Sequence, residues 1–428
     1  MPKPVDPEQQ LEDQEKLNEE DTAPADGTDE GSDELEAAVD RISRKLRERK
    51  RRTRAKRITK RVVWILFVLA IVGAVTYFLV KYWDVFKPDN FRETVTMEKS
   101  EKSLLKIGGA LDIITGNTAR YVSFSDGLAV VSTSTIRYAT EDGEEGFLAE
   151  AQLSQPAVAT AAEQMLIYDR GGRTMICADK TDVLAQGEAL GGAISMSIND
   201  HGRISAVTEC VGYQCAVSVY DLSLNRLYTW RTPEYFAVQS LVSDDNKYLA
   251  AAVADIRDER LNMSLLIFDL QEEGVQYEIP IGSDGVAGLF PSGDGFLAIT
   301  ETEVIRIAWD GTLQSRVTFD GDELVGLVRD GGSIYLLLND IDDITAHYRL
   351  LRIGEDGGIA AELRLKNDVY AIHAANGMVA VLTGDQIRLY DDTLSIKKYV
   401  SPEPGVTDII LLRDHKLIMV TAQEILIV

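Results

Sequence analysis

A repeat constrains this chain more than any other feature. An alternating apolar strand running into an acidic turn recurs as TIRYATEDG (135–143), TMICADKTD (174–182), AVSVYDLSL (216–224), SLLIFDLQE (264–272), VIRIAWDGT (304–312), LLRIGEDGG (350–358) and QIRLYDDTL (386–394). With Asp142, Asp179, Asp221, Asp269, Asp310, Asp356 and Asp391 as markers, the spacings are 37, 42, 48, 41, 46 and 35 residues, about 41.5 on average. An eighth copy, EILIV (424–428), stops where its turn should begin. Ahead of each copy lie two more runs with a polar turn, as in SMSINDHGRISAVTE and GLVRDGGSIYLLL. The Asp-Gly, Asp-Asn and Asn-Gly turn residues tolerate the positive φ of tight hairpins. A fourth run, such as NRLYTW or LQSRVTF, usually follows. Four strands at this period are the signature of a β-propeller blade.

The reading is therefore an all-β, eight-bladed propeller over residues 102–428, with seven blades the alternative count. The last repeat lacks its outer strand, while Ser103–Ile107 (SLLKI) is a spare strand ahead of the first. If that spare completes the last blade, first and last segments pair and no sheet edge is left open.

The front of the chain is different in kind. Acidic and basic residues number 69 and 44 overall, a formal charge of −25, but residues 1–40 carry −13, residues 41–61 carry +12 and the remainder −24. Residues 1–31 hold almost no sizeable apolar side chain and are expected to be a disordered acidic tail. Residues 32–61 read as a basic juxtamembrane helix capped by Ser32, with a short stripe of Leu35, Val39, Ile42 and Leu46. Val62 to Val80 is 19 residues without a charge, about 28 Å as a helix, with Trp64, Tyr77, Tyr82 and Trp83 at its ends. It is too long and too far from the start for a cleaved signal peptide, so residues 62–83 read as a transmembrane signal anchor and 84–101 as a linker. Thirteen basic residues precede the span and only Lys81 and Lys87 closely follow it. That bias keeps the N-terminus cytoplasmic and exports the propeller. The basic run then contacts anionic lipid headgroups. The acidic propeller argues against nucleic acid as a partner.

SDDNKYLA (243–250) with IFDL (267–270), and VYDLSLNRLYTW (219–230), resemble blade motifs of WD40-like and quinoprotein-like propellers. Acidic tail, basic run, single span and propeller together resemble an uncharacterised family of membrane-anchored propeller proteins of Gram-positive bacteria. The resemblance implies a fold and a compartment, and carries no activity with it. The calcium ligands and adjacent cysteines of quinoprotein dehydrogenases are not recognisable.

Motifs of chemistry are sparse. GxxxxGK[ST], HExxH, GxSxG and GxGxxG do not occur. The four histidines, His201, His347, His373 and His415, have no metal-ligand spacing and read as incidental. Asp340, Asp342 and Asp343 lack the EF-hand spacing and its closing Glu. No cofactor and no metal is expected, and no catalytic residue is assigned. Cys210 and Cys215 flank a hairpin turn, where a cross-strand disulfide and two free thiols are both open readings; Cys177 reads as a buried apolar residue. The sequon Asn262-Met263-Ser264 has meaning only in a eukaryotic secretory pathway.

Propellers bind through loops on a stiff frame. Loops between second and third strands, and between blades, share one face, and three read as long: Thr232–Phe236, Asp255–Asn262 and Asp340–Tyr348. Tyr235, Phe236, Arg257, Arg260, Asp342 and Tyr348 are the candidate binding residues there, most of them of hot-spot type. The expectation is a non-catalytic binding or scaffold module for an envelope protein or polymer. The alternatives are a transmembrane sensor, which would dimerise through residues 35–46 or the span, and a propeller enzyme acting on an envelope polymer.

Overall fold

A computed structural model describes residues 103–104, 119–257, 259–340, 347–421 and 425–428. The expected tail, juxtamembrane helix, span and linker lie outside these residues. Among the described residues no helix is long and apolar enough to cross a membrane.

The repeat folds as eight four-stranded antiparallel sheets, so the count is eight and not seven. The innermost strands are, in order, Arg120–Phe124, Pro156–Thr160, Ala193–Ile198, Phe236–Val242, Val286–Ser292, Glu323–Asp330, Val369–Ala375 and Val406–Leu411. Within each blade the chain steps outward strand by strand. Second strands such as Gly127–Val131 and Met165–Asp169 are buried throughout, because the neighbouring blades cover both their faces. Fourth strands such as Val183–Glu188 and Leu313–Thr318 alternate, because they lie at the half-wetted rim.

An apolar core fills every seam between adjacent blades. Phe124, Ile136 and Tyr138 of blade one meet Met165, Ile167 and Ile176 of blade two. The pattern continues round the ring. It ends with Ile410, Ile418, Ile425 and Ile427 of blade eight against Leu128, Val130 and Ala139 of blade one. The last blade is completed from the front of the chain: Ser103 pairs with Ile427 and Leu104 with Leu426, antiparallel. The closing strand read from the sequence is thus present at Ser103–Leu104.

Six of the seven marker acids are turn devices, while Asp142 instead pairs with Lys416 across a seam. The side chains of Asp179, Asp269, Asp310, Asp356 and Asp391 each accept the backbone N–H two residues on, at 2.7–3.0 Å, and Asp221 accepts that of Asn225 at 2.9 Å. Thr181, Asn225, Thr312 and Lys397 with Thr393 hold the carboxyls of Asp179, Asp221, Asp310 and Asp391 below the usual carboxylate range. The recurrence that exposed the fold is therefore local hydrogen bonding (Asx turns).

Candidate functional site

The two faces of the ring are built differently. Turns between first and second and between third and fourth strands form one, the turn face. It is laced across every seam. Lys180 Nζ donates to Asp126 (3.3 Å), the Ala162 amide to Asp200 Oδ1 (2.9 Å), Asn199 Nδ2 to the Ser243 carbonyl (2.8 Å) and Ser292 Oγ to the Glu355 carbonyl. The Gly377 amide donates to Asp330 Oδ2 (2.6 Å), Asn376 Nδ2 to the Arg413 carbonyl (2.9 Å) and Lys416 Nζ to Asp142 (3.3 Å). Between blades four and five the link is a stack of Tyr248 on Trp309, centroids 5.6 Å apart.

The opposite, crossover face carries the connections between second and third strands and from blade to blade. Exposed large apolar side chains gather there: Ile194, Val211, Tyr213, Phe236, Val238, Ile256, Leu261, Val325 and Tyr370. Most others, such as Leu148, Leu184 and Leu313, are scattered on fourth strands, which is ordinary.

Their origin is a bulge repeated at one place. In blades three to eight the register of the inner strand skips one residue near its start, on the crossover side: between Ala193 and Ser195, Ala237 and Gln239, Val286 and Gly288, Leu324 and Gly326, Val369 and Ala371, and Val406 and Asp408. The extra residues are Ile194, Val238, Ala287, Val325, Tyr370 and Thr407, all exposed. Such a bulge re-aims a side chain and takes it out of the ladder. These residues were missed from sequence, although there is a signal: five of the six are apolar residues directly following another apolar residue, breaking the alternation of an inner strand.

The sequence-derived candidates fare unevenly. Asp255–Asn262 is not a loop. Asp255 pairs with Asn262, Ile256 with Leu261 and Arg257 with Arg260, extending blade four as a ribbon. The charges suggested a loop, but the segment alternates and Glu259 takes φ 61° at its tip, so strand pairing continues to the end. On this ribbon Ile256 (72% exposed) and Leu261 share a sheet face with Phe236, and Arg260 is exposed. Arg257 is described only as the end of its strand.

Thr232–Phe236 is not long either. Strand ends at Thr232 and Phe236 leave three residues between them, and Thr232 Oγ1 accepts the amides of Glu234 and Tyr235. Tyr235 is half-buried against Trp230 and its hydroxyl donates to Glu278 at 3.2 Å, so it belongs to the frame. Tyr348 opens a third strand opposite Asn339 and packs on the core between blades six and seven. Asp342 lies outside the described residues.

Cys177, Cys210 and Cys215 are free thiols in the structure. The Cys215 thiol sits between blades three and four, 3.3 Å from the Tyr235 carbonyl and 3.2 Å from the Ala237 amide. Burial pushes the Cys215 thiol up, and that of Cys177 to about 12. His373 accepts the Leu411 amide on Nδ1 at 3.1 Å, joining blades seven and eight, and burial lowers it to about 4. Among the described residues, no three His, Cys, Asp or Glu side chains converge in a way that could hold a metal ion.

Charge gathers at the turn-face ends of the inner strands. Arg329 is exposed to solvent, yet surrounding protein lowers its pKa while Asp200, Asp244 and Asp330 pull it back up. Its Nε donates to the Gly331 carbonyl at 2.7 Å and its guanidinium lies 5.8 Å from the Phe290 ring centroid. Asp408, next to the bulge of blade eight, is likewise exposed and yet raised by desolvation.

Eight sheets, eight seam cores and a last blade shared by both ends define an eight-bladed β-propeller. The chain belongs to a family of unknown function (DUF5711), whose sequence profile matches residues 99–428. No curated protein matches it. Among solved structures, the C-terminal WD40 domain of Sif2 is similar with a TM-score of 0.50 at 11% identity, covering 72% of this chain and 97% of that one. BamB from Moraxella catarrhalis is similar with a TM-score of 0.45 at 10% identity, covering 72% and 95%. At such identities the likeness is one of fold.

Proposed function

We propose that the protein is a docking module without catalytic activity. In this reading residues 62–83 tether the propeller to the outer side of a cytoplasmic membrane, residues 41–61 lie against anionic headgroups inside, and the crossover face binds an envelope protein or polymer. One observation carries the docking part: exposed apolar side chains gather on the crossover face, whereas the turn face spends its polar groups on lacing the ring together. An apolar patch with a polar rim is the usual anatomy of an interaction site. The enzyme alternative would have to use Asp200, Asp244 and Arg329 at the turn-face mouth. Burial and Asp200 raise the carboxyl of Asp244 there, but no nucleophile accompanies it in a hydrogen-bonded pair among the described residues.

A photo-crosslinking residue at Ile256 in intact cells, compared with one at Thr393 on the turn face, tests the docking reading. A discrete adduct from Ile256 alone supports it. Adducts of equal yield and pattern from both positions contradict it.

A further inference from the structure

We propose, resting on the docking reading, that the six inner-strand bulges form a collar that grips an extended, apolar polypeptide segment flanked by Lys or Arg. The collar is not required by the fold. Arg120–Phe124 and Pro156–Thr160 pair with their second strands without any register shift, so blades one and two are built without a bulge. Blades three to eight insert one residue near the crossover end of the inner strand, and each inserted residue is exposed. Six repetitions of a feature that exposes apolar surface, in a ring two of whose blades are built without it, point to a use outside the fold.

The chemistry of the collar selects its ligand. Ile194, Val238, Ala287, Val325 and Tyr370 offer aliphatic and aromatic surface, with Thr407 the one polar member. A glycan would call for polar groups and stacking platforms, and the collar has a single ring. Around it the same face exposes Glu234, Glu301, Asp320, Glu323, Asp368 and Asp385, with Asp408 beside the bulge of blade eight, against the fewer bases Arg120, Arg231, Arg260 and Lys366. The acidic excess of this surround disfavours anionic lipid, nucleic acid and acidic polymers, and favours a cationic chain. The Val238 carbonyl accepts a hydrogen bond from Ser195 Oγ at 2.8 Å, so the bulges of blades three and four are tied to each other before any ligand arrives.

The test uses the full chain, tagged at its N-terminus and purified in detergent, panned against phage-displayed random dodecapeptides. The expected pool is enriched in aliphatic or aromatic cores flanked by Lys or Arg. A synthetic peptide of the enriched consensus should bind at least about tenfold more weakly to the Val238→Ser/Val325→Ser/Tyr370→Ser variant. It should also lose affinity to Glu234→Lys/Asp368→Lys. Val325→Lys, a single change at an exposed position, is the second variant should the triple one melt early, and it too should weaken binding. An acidic pool, no enrichment, or binding unchanged in these variants overturns the collar. Peptides lost on Ile256→Ser/Leu261→Ser and retained by the collar variants overturn the collar while leaving the docking reading intact.

Discussion

His373 makes the stability of the ring depend on acid in a way that can be worked out. Its Nδ1 accepts the Leu411 amide across the seam between blades seven and eight, so the folded protein needs the imidazole neutral. Burial lowers its pKa from 6.5 to about 4, with Asp330 pulling slightly the other way. A group whose folded pKa lies below its unfolded one contributes stability that is fully present above 6.5 and lost as pH falls towards 4. At about 1.4 kcal/mol per pH unit, the whole loss comes to about 3.5 kcal/mol, an upper figure because water reaches part of the ring. His373→Asn is the informative variant: Oδ1 can accept the same amide and cannot become charged. Asp244 and Asp408, whose carboxyls are raised, contribute with the opposite sign as pH falls, so the difference between wild type and variant is what counts. Denaturant unfolding at pH 7.5 and pH 4.5 should show the wild type losing about 2–3 kcal/mol more than the variant. Parallel losses in both proteins would refute this account of the seam.

Other consequences are simpler to measure. Phe268→Ala removes a fully buried ring that lies 5.0 Å from Trp230 at the seam between blades three and four, and should cost about 3–5 kcal/mol of unfolding free energy. Gly295→Ala places a Cβ 2.0 Å from the Ile307 carbonyl oxygen, so strand pairing in blade five has to yield; a loss of about 1–3 kcal/mol is expected by denaturant titration. Iodoacetamide at pH 8 should label Cys210 and spare the buried Cys177 and Cys215, as read by mass spectrometry; equal labelling of all three would contradict the seam geometry. If Cys210 and Cys215 pair on export, labelling of Cys210 appears only after reduction.

The fold was legible because its signals are local. Six of the seven marker acids cap their own turns, so the repeat survives in sequence even where the strands between turns vary. Closure was legible for a related reason: a blade missing its outer strand at one end of the chain and a spare strand at the other can satisfy each other only by pairing. The candidate site was read less well. Tyr235 and Tyr348 have hot-spot chemistry, but chemistry says nothing about which side of a strand faces a neighbouring blade, and both are packed into seams. Asp255–Asn262 is rich in charge, which suggests a loop; its pairing depends on rungs already laid down by Ala250–Ala254 and Met263–Ile267. The bulges are harder still, since a bulge is a mismatch between two strands and exists in neither alone.

Everything about the two faces presupposes that the ring is sealed by its own ends. Ser103→Cys with Ile427→Cys in the full chain, also carrying Cys210→Ser to leave only buried native thiols, tests that seal directly. Oxidation followed by digestion and mass spectrometry should give one intramolecular crosslink joining position 103 to position 427, whose backbones are antiparallel partners. No crosslink between these positions, or one that forms only between separate molecules, would mean that the last blade is not completed by the first segment.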